Sequence, residues 1–158
     1  MPFVIQSDST PKPVATFTKM VAGDITVSGA TYGEISSGLR LSIAANPGDV
    51  LEYGLNAFSN PSGGSNGQFD AATLNGSNAI VNYFGCDGGA TDSIGGWLTV
   101  ASTYGWLQGA AFYTVVAGDI FNGRVTVTLI GRMAGAGTTT IEADATNPAF
   151  AYLKNHRQ

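Results

Sequence analysis

The chain has 158 residues, enough for one domain with a sizeable core, and 11% of them are charged, against about 25% in ordinary soluble domains. The net charge of −4 is unevenly spread: no Lys or Arg occurs in residues 41–123, which hold Asp49, Glu52, Asp70, Asp87, Asp92 and Asp119. A phosphate backbone needs clustered cations, so this distribution argues against nucleic acid as a partner, and the single cysteine, Cys86, excludes an intramolecular disulfide.

Residues 1–13, in which Pro11 and Pro13 bracket Lys12, read as an extended N-terminal arm. The opening MPFVIQSDS carries no cationic leader and no apolar run of membrane-spanning length. Folding in a cytoplasm, with no membrane partner, is the expectation. Beyond the arm no window keeps apolar residues at helical spacing without interruption, and the 22 glycines, about twice the usual share, mark a chain that reverses often. Short runs rich in Val, Ile, Thr, Tyr and Phe predict strands over 14–21, 39–45, 50–58, 68–74, 80–84, 97–101, 111–116, 125–132, 138–143 and 149–154. In RVTVTLIG, Val125, Val127 and Leu129 alternate with Thr126 and Thr128, so one face is expected in the core and the other toward solvent or a partner. The fold class is all-β, with a domain body over 14–154 and a short tail at 155–158.

Between these strands one pentapeptide recurs. Val21-Ala22-Gly23-Asp24-Ile25 and Val116-Ala117-Gly118-Asp119-Ile120 are identical, and Asn46-Pro47-Gly48-Asp49-Val50 is a close variant. Each reads as a tight turn in which Gly23, Gly48 or Gly118 takes the left-handed conformation and Asp24, Asp49 or Asp119 accepts hydrogen bonds from local amides. Residues 59–67 and 85–96 are the two long surface loops.

Searching for chemistry yields little. His156 is the one histidine available to a Cys86 nucleophile or a serine triad; it lies in the tail, Asp87 disfavours the Cys86 thiolate, and there is no Gly-x-Ser-x-Gly elbow. One Cys and one His are too few for zinc. Asp87 and Asp92 share a glycine-rich loop but lack the alternating acids of a calcium loop, which leaves a solvated turn. No glycine cluster precedes the lysine of a phosphate cradle, and no spacing selects a glycosidase pair from Glu34, Glu52, Asp70 and Glu142. Asn75-Gly76-Ser77 is a glycosylation acceptor in form alone. Trp97, Tyr104 and Trp106, in GWLTVASTYGW, offer a platform for a sugar, although large aromatics more commonly pack in a core or an interface. The expectation is a protein with no catalytic centre, metal or cofactor.

The segments RLSIAANPGDVLEYGLNA, GQFDAATLNG, AAFYTVVAGDIFNGRVTVTLIGRMAG and NPAFAYLKN resemble those of small β-proteins from the structural gene clusters of tailed bacteriophages, over most of residues 39–154. The layout is also similar to the trimeric jelly roll of the tumour-necrosis-factor and C1q-like families, whose further signatures this chain lacks. The resemblance implies a single jelly-roll β-sandwich assembling as a homotrimer, with Phe150 and Tyr152 on the last strand near a threefold axis and Phe112 and Tyr113 as further interface residues. It implies a virion location and a capsid decoration role, with the major capsid protein or other virion proteins as partners. The alternatives are a tail-associated protein or a carbohydrate-binding module for host-surface glycans.

Overall fold

The computed structural model describes residues 16–21, 23–62, 67–84, 97–99 and 105–157. The expected N-terminal arm, residues 63–66, the 85–96 loop with Cys86, Asp87 and Asp92, and Tyr104 lie outside the described residues. The described strands are β1 (Thr16–Val21), β2 (Ile25–Val27), β3 (Gly33–Glu34), β4 (Leu41–Ala44), β5 (Val50–Ser62), β6 (Gly67–Leu74), β7 (Ile80–Phe84), β8 (Trp97–Thr99), β9 (Gly105–Thr114), β10 (Arg124–Met133), β11 (Thr138–Glu142) and β12 (Ala149–His156).

They form two antiparallel sheets. In the first, β5 pairs along one edge with β9 and along the other with β12 and then β11, set end to end; β1 lies outside β12 and β2 outside β11. In the second, β10 pairs on one edge with β6 and on the other with β4 and β3, while β6 carries β7 and β8 on its far edge. With end-to-end strands counted as one position, the described strands run through eight: first pairs with eighth, second with seventh, third with sixth, fourth with fifth. Successive pairs fall in opposite sheets, which is the winding of a jelly roll.

The alternation of strand side chains places one row from each sheet in the interior. Leu51, Tyr53, Leu55 and Ala57 of β5 meet Leu107 and Ala111 of β9, Ala151 and Leu153 of β12, and Val125, Val127 and Leu129 of β10, all of them buried. Each large apolar side chain in this layer stabilises the fold by roughly 1.5–3 kcal/mol relative to exposure. Tyr53 is wholly buried and donates its hydroxyl to the Leu39 carbonyl at 3.2 Å. Thr128, on the face of β10 expected toward solvent or a partner, is also buried and donates to Glu34 at 2.9 Å; every residue of β6 is buried too. The second sheet is therefore covered on both faces at its centre.

Strand boundaries depart from the sequence reading in instructive places. β5 runs to Ser62, four residues into the expected 59–67 loop, and includes Pro61 opposite Thr139. Among the described residues the pairing with β9 ends at Ser59, short of Pro61, the residue with no N–H for a ladder bond. β9 begins at Gly105, six residues before the expected start, and β12 continues through Asn155 and His156, placed in the expected tail. β2 and β3, three and two residues long, carry too short a pattern to have been read.

The three Gly-Asp turns pin the ends of the sandwich. Gly23 (φ 89) donates its N–H to the Ala143 carbonyl, and Asp24 Oδ1 accepts the Ala143 N–H at 2.9 Å, bridging the breaks between β1 and β2 and between β11 and β12. Gly48 (φ 93) follows Pro47, and Asp49 accepts from the Asn46 amide and from Asn155 Nδ2 at the end of β12. Gly118 differs from the expected left-handed residue: it lies within a 3-10 turn over Ala117–Asp119. The left-handed pair in this region is instead Asn122 (φ 51) and Gly123 (φ 72), closing the hairpin between Phe121 and Arg124.

Asp119 is buried and its carboxylate accepts four hydrogen bonds: Tyr113 Oη at 2.7 Å and the Val116 amide at 3.0 Å on Oδ2, Asn82 Nδ2 at 2.7 Å and Thr73 Oγ1 at 2.8 Å on Oδ1. One carboxylate thus ties β6 and β7 of the second sheet to β9 of the first. Burial pushes its pKa up, but the donors from Tyr113, Val116, Asn82 and Thr73 together outweigh that and hold it below the ordinary aspartate value. A group depressed on folding adds stability above its unfolded pKa and loses it as pH falls through the folded value. The contribution of Asp119 is therefore expected in full above about pH 4 and lost below it. Asp119→Ala strands buried donors and should cost about 3–5 kcal/mol in urea unfolding at pH 7, with the gap between wild type and variant narrowing in acid.

Candidate interaction surface

The outward row of the first sheet is Glu52, Gly54, Asn56, Phe58, Asn60 and Ser62 on β5, flanked by Trp106, Gln108 and Phe112 on β9 and by Phe150, Tyr152, Lys154 and His156 on β12. A sandwich sheet ordinarily gives such a face to water and fills it with polar side chains. Here Phe112 is 61% exposed, Trp106 56% and Phe150 38%. Scattered exposed apolar residues need no explanation, whereas aromatics grouped on one face mark an interaction surface.

At one end of this face the aromatics surround a single acid. Glu52 lies opposite Phe112 on one side and Lys154 on the other. Its Oε1 accepts the Tyr152 hydroxyl at 2.7 Å, its Oε2 lies 2.6 Å from His156 Nε2, and Lys154 Nζ is 4.0 Å away. Burial raises the Glu52 pKa; the hydrogen bonds from Tyr152 and His156 and the charges of Lys154 and His156 more than offset it, and the carboxyl is held low. The Tyr152 phenol is pushed up to about 12 by burial and then by the carboxylate that it bonds. Its ring lies across Gly54, where any Cβ would collide with the ring and hydroxyl. Glycine at this outward position is what lets the tyrosine lie flat on the sheet. The Phe112 and His156 rings, 6.3 Å apart, close the cluster.

At the other end Trp106 stands opposite Phe58, their ring centroids 5.4 Å apart in an edge-to-face arrangement. Gln108 donates to Asn56 at 3.1 Å between the two clusters.

Phe112, Phe150 and Tyr152 thus share one face, while Tyr113, one residue along, faces the other way. It stacks on Phe84 with centroids 4.9 Å apart and bonds Asp119, and burial followed by that carboxylate raises its pKa. Of the aromatics expected to offer a sugar platform, Trp106 is on β9 of the first sheet and Trp97 on β8 of the second, and Tyr104 lies outside the described residues. Phe58 and Gly54 were not singled out from sequence, although their place in the β5 alternation is a signal for the face they share.

The remaining acids are dispersed. Glu34 takes a two-point ion pair from Arg40, at 2.6 and 2.5 Å, which leads the causes holding its carboxyl low. Asp70 accepts the Tyr32 hydroxyl at 2.9 Å, and Arg132 lies 4.7 Å above the Tyr32 ring. Glu142 bonds Asn60 and Asn147. In the sequon, Asn75 Oδ1 is bonded by the amides of Ser77 and Ala79 and the Ser77 hydroxyl, forming a side-chain turn. Among the described residues no three His, Cys, Asp or Glu side chains group closely enough to hold a metal ion, and no helix is long and apolar enough to cross a membrane.

Fold and surface together define a jelly-roll β-sandwich with an aromatic outer face. No family model and no curated protein matches the chain. Among solved structures, a chain in the structure of infectious bursal disease virus Gx strain is similar, with a TM-score of 0.44 and 12% identity, over 100% of this chain and 41% of that one. This chain therefore spans about two fifths of that chain's length.

Gly54→Val should lift the Tyr152 ring off the sheet and cost about 1–3 kcal/mol in denaturant unfolding. Freed from Glu52, the Tyr152 phenol should then titrate near the ordinary tyrosine value of about 10, read by ultraviolet absorbance.

Proposed function

We propose that this chain is a non-enzymatic virion structural protein, a capsid decoration protein that assembles as a homotrimer through the Glu52 end of the outer face of its first sheet. The observation that carries the reading is the cluster around Glu52. Interfaces concentrate aromatics and deplete unpaired charge at their centres, because an isolated buried charge costs several kcal/mol. Phe112, Tyr152 and Phe150 supply the aromatic area. Glu52, the acid among them, meets Tyr152, His156 and Lys154 within the same protomer. A second copy can cover the face without stranding that carboxylate. The jelly-roll winding, the sequence resemblance to phage structural proteins and the low charge of the chain support the virion role. The major capsid protein and neighbouring virion proteins are the proposed partners. A tail-associated position is the alternative within the same class.

Light scattering on the purified protein at micromolar concentration should give three times the 16.2 kDa chain mass, and the protein should co-purify with particles. Phe112→Asp puts three unpaired carboxylates into the interface and should yield a folded monomer, a loss of at least about 2 kcal/mol of association. A native monomer that never accompanies particles would overturn the proposal.

A further inference from the structure

The far end of the outer face, where β9, β5 and β11 lie side by side, differs from the Glu52 end in chemistry. Trp106, Phe58 and Glu142 occupy one row across the three strands, Trp106 opposite Phe58 and Phe58 opposite Glu142. Phe58 meets the indole edge-to-face, which fixes its attitude while leaving 56% of Trp106 in solvent. Glu142 is oriented by two side-chain amides, Asn60 Nδ2 at 3.3 Å on Oε1 and Asn147 Nδ2 at 2.9 Å on Oε2. Asn147 is held in turn, because Asp144 Oδ1 accepts the amides of Thr146 and Asn147 at 2.7 Å. An exposed, pre-oriented indole beside a carboxylate and amides suits a ligand with one apolar face and a rim of hydroxyls.

We propose that this end is a carbohydrate-binding site for an uncharged hexopyranose. Trp106 stacks against the C–H face of the ring, and Glu142, with Gln108 on the other flank, bonds its hydroxyls. Charge decides against acidic sugars: among the described residues no Lys or Arg faces outward at this end, whereas Glu142 does. The site does not rest on the trimer reading. Trp106 and Phe112 are six residues apart on one strand, about 20 Å, so covering the Glu52 end leaves Trp106 accessible.

The test is a printed array of neutral gluco-, galacto- and manno-configured oligosaccharides alongside sialylated and uronic-acid glycans, probed with wild type, Trp106→Ala and Glu142→Gln, each checked by light scattering and thermal melting. Expected are hits among the neutral glycans alone, lost by at least about tenfold in Trp106→Ala and weakened in Glu142→Gln, with the mass of both variants unchanged and both melting cooperatively. No neutral hit, hits restricted to acidic glycans, or undiminished binding by Trp106→Ala would overturn the proposal. Because assembly is read separately, loss of glycan binding with an intact trimer and loss of the trimer with intact binding are distinguishable.

Discussion

The unbroken extension of Val50–Ser62 is the constraint from which the rest follows. Thirteen residues in one strand hold β9 along one edge and β12 then β11 along the other, so three strands take their register from a single backbone. Because strand side chains alternate, that register also decides which residues are inside. Leu51, Tyr53, Leu55 and Ala57 go to the core, and Glu52, Gly54, Asn56 and Phe58 go to the outer face. A slip of one residue would bury Glu52 and Asn56 and expose Tyr53. The aromatic face is thus a consequence of the same alternation that builds the core.

Closure of the sandwich depends on polar groups at its ends. Asp119 and Asp49 each accept an amide three residues back and then side chains from other strands, Tyr113 from the strand just before and Asn82 and Thr73 from farther back in one case and Asn155 in the other. A buried carboxylate is costly unless its lone pairs are met. These are met by elements far apart in sequence, so the same groups that cap local turns also specify how distant strands dock.

The two ends of the outer face show how composition sets what a flat sheet can do. Around Glu52 the charges are answered within the protomer and the Tyr152 ring lies flat on the sheet beside the exposed Phe112, a surface suited to a second protein surface. Around Trp106 the indole is half in solvent and the carboxylate is held by amides, a surface suited to hydroxyls. Gln108 and Asn56, bonded to each other, lie between them. No loop is needed to separate the two chemistries, only distance along β5 and β9.

Much of this was legible in the sequence. The all-β class, the strands of 80–84 and 125–132, the turn at each Gly-Asp motif and the aromatic last strand all come from local propensity and period-two patterning, which act within a few residues. The extension of β5 through Pro61 was hidden because proline has no N–H to give to a ladder and is unfavourable in a strand interior. The inward turn of Tyr113, the separation of Trp97 and Trp106 onto different sheets and the place of His156 beside Glu52 depend on register between strands up to about a hundred residues apart. Turns and alternation are properties of neighbouring residues, so the sequence alone determined them; which face an aromatic shares, and with whom, was decided by long-range pairing that only the assembled sheets contain.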